Sequence, residues 1–225
     1  MTRQLASRQY QETGHQSRRG DEMEAATAGR GAGPSLVRKL IHLAMALVPA
    51  LGWLVSFPLA LGLAGVALLA SLLVEAARRW WPAVNRLLWW LLPTTFREGE
   101  DRRVLGSTWF FLGMVAALLL FGRDAGGTAV LFLAWGDATA ELIGRTWGRP
   151  GQGKTLAGSL GCLAACFLAG VAGVYFGGLD PRVVVAGAIV ATLVERWSPP
   201  PDDNLWIPVL SGLAIVAVQA GVGVG

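Results

Sequence analysis

Beyond residue 35 the chain alternates long apolar runs with short polar clusters, and the run lengths match membrane-crossing helices. About 20 apolar residues are needed to cross a hydrocarbon core ~30 Å thick. Residues 43–74 carry no charge and are broken only by a turn near Ser56, Phe57 and Pro58, which predicts two spans joined by a very short loop. Residues 104–122, 155–179 and 205–225 are also uncharged, whereas two shorter runs, 128–136 and 183–194, end in acids. The pattern predicts seven spans, at 37–55, 58–76, 104–122, 128–145, 157–177, 182–197 and 205–222.

The segment 78–96 (RRWWPAVNRLLWWLLPTTF) has a different texture. Trp80, Val84, Leu87, Leu88 and Leu91 recur at helical spacing while Arg79, Asn85 and Arg86 fall elsewhere, the mark of an amphipathic helix lying in the membrane interface. Four of the ten tryptophans sit here, at the headgroup depth that indole rings prefer. Such a helix is an anchor or a route by which lipid is admitted. Residues 97–103 (REGEDRR) read as a solvated connector. The expected fold is therefore all-α: a polytopic bundle of about seven transmembrane helices with an interfacial amphipathic helix, occupying residues 35–225.

Composition supports the bilayer as the solvent. Of 225 residues, 53% are hydrophobic and 15% charged, and the mean hydropathy is +0.49, too apolar for a soluble domain. Residues 1–34 are Arg-rich, Gly- and Ala-rich and poor in large apolar side chains, which predicts a disordered cytoplasmic tail. They lack the apolar core of a cleaved signal, so the first span is expected to direct insertion. Met23 offers an alternative start.

Charge sets the expected orientation. With the N-terminus inside, the inner segments hold seven, six, three and one Lys or Arg, while the outer ones hold two, Arg123 and Arg182. The positive-inside rule then predicts a multi-pass protein with its N-terminus and ionisable cluster cytoplasmic and its C-terminus outside. The net charge of +4 describes a membrane face toward anionic headgroups, with no nucleic acid as partner. No pattern along the chain sets an oligomeric state.

Chemistry concentrates in residues 132–161 (FLAWGDATAELIGRTWGRPGQGKTLAGSLG). Asp137, Glu141 and Arg145 stand at i, i+4 and i+8, one polar stripe rising ~6 Å per step. A carboxylate in a span costs roughly 2.5–3.5 kcal/mol on insertion scales and marks a functional cavity by default. The alternative is a Glu141–Arg145 salt bridge that only joins helices. Gly136, Ala138, Ala140 and Gly144 would let a ligand or a neighbouring backbone approach closely. Cys162 and Cys166 share a face of the fifth span without ligand partners, and read as small packing residues.

Gly148 to Thr155 (GRPGQGKT) formally satisfies GxxxxGK[ST]. A P-loop joins a buried strand to a helix, and here a membrane helix precedes the glycines, so a soluble nucleotide-binding fold is excluded. The local physics is shared nonetheless. A glycine-rich turn offers backbone N–H groups, Lys154 adds a charge, and a helix beginning near Thr155 points its positive end at the loop. A basic loop that merely connects two spans is the competing reading.

Other polar groups gather at the same depth: Arg38, Lys39 and His42 in the first span, Glu75 at the end of the second, Glu195 at the end of the sixth, and Asp202, Asp203 and Asn204 before the seventh. Singly, each has a plain explanation as an anchor, a satisfied histidine or a helix cap. Jointly they offer acids for Mg²⁺, bases for phosphates and a histidine at one face.

These residues resemble the CTP-dependent lipid kinases, a family that includes dolichol kinase, phytol kinase and CTP-using diacylglycerol kinases and is related more distantly to phosphatidate cytidylyltransferase. The resemblance rests on RKLIH at 38–42, GDATAELIGRTWG at 136–148, GKTLAGS at 153–159 and DNLWIP at 203–208. It implies transfer of the γ-phosphoryl group of a nucleoside triphosphate, with CTP as donor and Mg²⁺ or another divalent cation as cofactor, to the hydroxyl of a lipid alcohol. By resemblance Asp137 binds metal or activates the hydroxyl with Glu141 beside it, and Asp203 and Glu195 complete the metal site. Arg145 and Lys154 hold phosphates. Gly136, Gly148, Gly153, Thr155, Gly158 and Ser159 shape the loop, Asn204 completes the nucleotide site, and His42, Arg38 and Lys39 orient the triphosphate or the hydroxyl. One departure is Ala157, which stands where family members often carry an acid. CDP-lipid synthesis and ion-coupled transport are the alternative readings. Transporters usually show repeated halves, and the chain has no convincing repeat.

Overall fold

The computed structural model describes residues 36–91, 103–148 and 153–223, with the backbone alone for 36–39; the expected tail, residues 1–34, lies outside them. In chain order the helices are α1 (Leu36–Ala44), α2 (Leu47–Leu54), α3 (Phe57–Trp80), α4 (Pro82–Leu91), α5 (Gly106–Phe121), α6 (Gly127–Leu131), α7 (Ala138–Trp147), α8 (Leu156–Gly177), α9 (Pro181–Trp197) and α10 (Asp203–Val222). π-Helical stretches at Gly122–Gly126 and Phe132–Asp137 flank α6. No strand occurs among the described residues, so the all-α expectation holds.

Among the described residues four helical runs are long and apolar enough to cross a membrane: Phe57–Trp80, Gly106–Trp147, Leu156–Gly177 and Asp203–Val222. The second has 42 residues, about twice the length one crossing needs, and it doubles back at Gly122. There φ is +72°, a conformation glycine adopts without steric cost. A Cβ on Gly126 would then stand 2.5 Å from the Ala117 carbonyl oxygen, whereas residues that far apart in a straight helix are ~13 Å apart. The run is thus two limbs, where two spans were expected.

Other boundaries differ from the sequence expectation. The run 37–55 is divided at Met45 and Ala46, because Pro49 has no N–H to donate to the Met45 carbonyl and its ring crowds that oxygen. Helix α9 has 17 residues, or ~25 Å, less than a full crossing. Helix α3 continues to Trp80, so Arg78 and Arg79 belong to its last turn and not to the amphipathic helix, which begins at Pro82. The cause is Glu75: its carboxylate lies 2.8 Å from Arg78 Nη2 and 2.7 Å from Arg79 Nε, ion pairs at i+3 and i+4 that carry the helix onward. Glu75 also accepts the Leu105 N–H at 3.3 Å, and buried Arg78 donates to the Arg103 carbonyl, which together tie α3 to the start of α5.

Small residues set how closely the second half packs. Helix α8 runs against the limb formed by α6, the second π stretch and α7. A Cβ on Gly173 would meet Thr128 Oγ1 at 2.3 Å, on Gly136 the Cys166 and Cys162 sulfurs at 2.8 and 3.0 Å, and on Gly158 the Ala140 carbonyl oxygen at 2.7 Å. Close backbone approach of this kind replaces the hydrophobic effect as the means of association in lipid. Phe110, Met114, Phe132, Leu133, Ile207 and Ile215 fill the centre and are fully buried. At one end of the bundle Trp53 Nε1 donates to Asp124 Oδ1 at 3.1 Å. Arg123 pairs with Asp124 there, and Arg182 with Asp180, whose carboxyl it pulls down to about 2 by hydrogen bonding. The candidate site lies at the opposite end.

Candidate active site

Asp137 closes the second π stretch, a widened helical turn of the sort often found at functional sites. It is buried, and so is His42, which α1 contributes from the other end of the sequence. His42 Nδ1 stands 3.6 Å from Asp137 Oδ2. The imidazole rests against Phe110 of α5, ring centroids 4.4 Å apart, so three elements fix its orientation.

Lys154 leads into α8, which Thr155 caps by accepting the Gly158 N–H at 3.1 Å. The Lys154 ammonium lies 2.6 Å from Asp203 Oδ2 at the start of α10 and 2.8 Å from Glu195 Oε1 near the end of α9. Both carboxylates are buried. The Ser198 hydroxyl donates to Asp203 Oδ2 at 2.8 Å, the Ser159 hydroxyl donates to Glu195 Oε2 at 3.5 Å, and Arg196 donates to the Lys154 carbonyl. Burial works against the charge on Lys154, but Asp203, Asp137 and Glu195 outweigh it and hold the ammonium well above the ordinary lysine value. Three carboxylates from three helical elements therefore act on one cation.

The structure brings together His42, Asp137, Lys154, Ser159, Glu195 and Asp203. Asn204 is buried beside them, donating to Asp202 Oδ1 at 2.7 Å and to the Gly106 carbonyl at 3.4 Å, while its own Oδ1 has no partner among the described residues. Gly136, Gly148 and Gly158, expected around phosphate, are close-packed: a Cβ on Gly148 would meet Thr155 Cγ2 at 2.5 Å. Among the described residues nothing stands within 4 Å of a Cβ on Gly153. Glu141 and Arg145 pair with each other at 2.7 Å, their side chains 27% and 47% exposed. The side chains of Arg38 and Lys39 lie outside the described residues, on the helix that carries His42. Ser198 escaped the sequence reading, and Arg196 entered it only as a charge that sets orientation. The only signal was their place in ERWS, directly after Glu195.

Among the described residues no three of His, Cys, Asp or Glu stand close enough to hold a metal ion by themselves. A Mg²⁺ that arrives on a triphosphate needs only one or two protein carboxylates besides phosphate oxygens. Asp203 and Glu195, hard oxygen donors with a cation already between them, fit that smaller requirement.

A buried ionic centre at one end of a polytopic helix bundle defines a membrane-embedded protein built to manage charge. Comparison with known proteins is specific. The chain is 30% identical over 183 residues to CTP-dependent diacylglycerol kinase 1 of Eremothecium gossypii, covering 66% of this chain and 55% of that protein. It is 31% identical over 210 residues to the chloroplastic farnesol kinase of Arabidopsis thaliana, covering 80% and 64%. With the phytol kinase of a Synechocystis species the identity is 30% over 193 residues, covering 79% and 77%. The chain belongs to the CTP-dependent lipid kinase family. It spans little more than half the length of the Eremothecium relative. No family model matches the chain, and no solved structure matches it significantly.

Proposed function

We propose that the chain transfers the γ-phosphoryl group of CTP to the hydroxyl of a membrane lipid alcohol: a polyprenol or dolichol, a phytol-like isoprenoid, or diacylglycerol. The observation that carries the proposal is Lys154, held by Asp203 and Glu195 and under the influence of Asp137, with His42 behind Asp137. Phosphoryl transfer asks for positioning, neutralisation of phosphate charge and a group that orients the attacking hydroxyl.

Lys154 and the α8 N-terminus hold the β- and γ-phosphates, with Arg145 as a further cation and Ser159 bracing Glu195. Asp137, oriented by His42, accepts the proton of the lipid hydroxyl. The alcohol oxygen forms its bond to the γ-phosphorus, the bond from that phosphorus to the bridging oxygen breaks, and CDP leaves with the electron pair. Asp203 and Glu195 would hold a divalent cation, which when bound would neutralise phosphate charge. Burial of the site keeps water from competing with the lipid hydroxyl.

The site faces the cytoplasm, with the C-terminus on the other side; the Lys and Arg distribution supports this. The test is incubation of purified protein with CTP labelled at the α or γ position, Mg²⁺ and separate lipid alcohols. Only the γ label should enter lipid. Entry of the α label would replace kinase chemistry by CDP-lipid synthesis, and absence of both labels from every lipid would remove the reading.

A further inference from the structure

Among the described residues four positions have positive φ: Gly122, Gly178, Gly223 and Ser198. Three are glycines, for which the conformation is free of steric penalty. Ser198 closes α9 at φ 47°, ψ 61°, where its Cβ crowds the following carbonyl. Helices commonly end in glycine at such a position, and in this chain α8 ends with Gly178 and α10 with Gly223. A strained residue persists where the surrounding structure demands it.

The demand here falls on the hydroxyl. Ser198 Oγ donates to Asp203 Oδ2 at 2.8 Å, the same oxygen that the Lys154 ammonium approaches to 2.6 Å. The Ser198 N–H donates to the Val194 carbonyl at 2.8 Å. The backbone of this residue is thus fastened to α9 while its side chain grips the first residue of α10. An aspartate bound only to a lysine could follow the ammonium as the long lysine stem changes rotamer. A second donor on the same oxygen, fixed to a helix end, prevents that.

We infer that Ser198 is a positioning residue: its hydroxyl locks the Asp203 carboxylate in place, and Asp203 in turn holds Lys154 where a triphosphate would be bound. The consequence for nucleotide rests on the proposed phosphoryl transfer; the hold on Lys154 does not.

Ser198→Gly separates the two roles of the residue, because it relaxes the backbone and removes the hydroxyl together. Its melting temperature should equal or exceed that of the unaltered protein. Its apparent KM for CTP should rise about tenfold, the loss expected for one hydrogen bond to a charged group, with the KM for lipid and kcat little changed. Ser198→Asn, which tolerates the left-handed backbone and keeps a donor, should restore much of the nucleotide affinity. A second measurement needs no nucleotide. Lys39 and Lys154 are the only lysines in the sequence, so labelling with an amine reagent and quantifying both by mass spectrometry gives an internal ratio. That ratio should shift severalfold toward Lys154 in Ser198→Gly.

A Ser198→Gly protein with an unaltered labelling ratio and unaltered KM for CTP overturns the inference and leaves the kinase reading intact. If no lipid is phosphorylated by the unaltered protein while the ratio still shifts, the kinase reading falls and the hold of Ser198 on Lys154 stands.

Discussion

Lys154 Nζ lies 2.6 Å from Asp203 Oδ2 although 49 positions separate the two residues. The contact joins the glycine-rich loop to the start of the last helix, and Glu195 shares the same ammonium. An ion pair between an ammonium and buried carboxylates is costly to break from one side only, since the remaining charges are left unpaired. Lys154→Ala is expected to lower the melting temperature and to raise the apparent KM for CTP by about 10- to 100-fold, with a smaller effect on lipid. Steady-state kinetics with each substrate varied in turn would check this, and an unchanged nucleotide dependence would remove Lys154 from phosphate binding.

The charge state of Lys154 gives a pH prediction. Its carboxylate partners raise its folded-state value above the ordinary 10.5 despite the burial penalty. The stabilisation is therefore fully present below 10.5 and is lost only as pH rises through the elevated folded value. The melting-temperature gap between the unaltered protein and Lys154→Met should stay constant from about pH 7 to about pH 10. A gap that narrows across that range would show the ammonium less firmly held than the geometry requires.

Asp137→Asn should reduce kcat by about 10²- to 10⁴-fold, the usual contribution of a proton-transfer group, without loss of expression. If Asp137 and His42 act as a unit, the double variant Asp137→Asn with His42→Gln should be no slower than Asp137→Asn alone. Multiplying rate losses would separate their roles.

Two glycines of the same motif should behave differently. Gly158→Ala forces a Cβ to within 2.7 Å of the Ala140 carbonyl oxygen, and overpacking of this kind costs about 1–3 kcal/mol. Gly153→Ala meets nothing within 4 Å among the described residues and should melt as the unaltered protein does. Thermal unfolding in detergent compares them directly.

Arg78→Ala should destabilise by on the order of 3 kcal/mol, because it removes one partner of buried Glu75. The double change Glu75→Gln with Arg78→Met should recover much of that loss. The KM values should stay unchanged in both, since this pair lies on α3, outside the Lys154 cluster.

Much of this architecture was legible because membrane crossing imposes a simple rule of length and apolarity. Helices α8 and α10 begin and end within two residues of the spans expected at 157–177 and 205–222. Asp137, Lys154 and Asp203 stood out because charge next to long apolar runs is expensive. Four things were hidden. The division at Met45 depends on Pro49, which cannot give the Met45 carbonyl its usual N–H, so that carbonyl takes the Val48 N–H at 3.1 Å instead. Arg78 looked like an interfacial anchor, although its i+3 spacing from Glu75 was a usable signal. What Gly136 and Gly158 pack against was hidden, since a missing side chain serves a ligand or a neighbouring helix alike; here it makes room for Cys162, Cys166 and the Ala140 backbone. Ser198 carried only its nearness to Glu195, because a left-handed serine is visible only in three dimensions.

The ionic contacts at the two ends of the bundle are of opposite kinds. Arg123 and Asp124 are adjacent in sequence, and Arg182 follows Asp180 by two residues, so each loop neutralises itself as soon as it is synthesised. Lys154 finds Asp203 and Glu195 only after separate helices have inserted and docked. A chain with one of these helices out of place therefore lacks the contacts at the centre of charge.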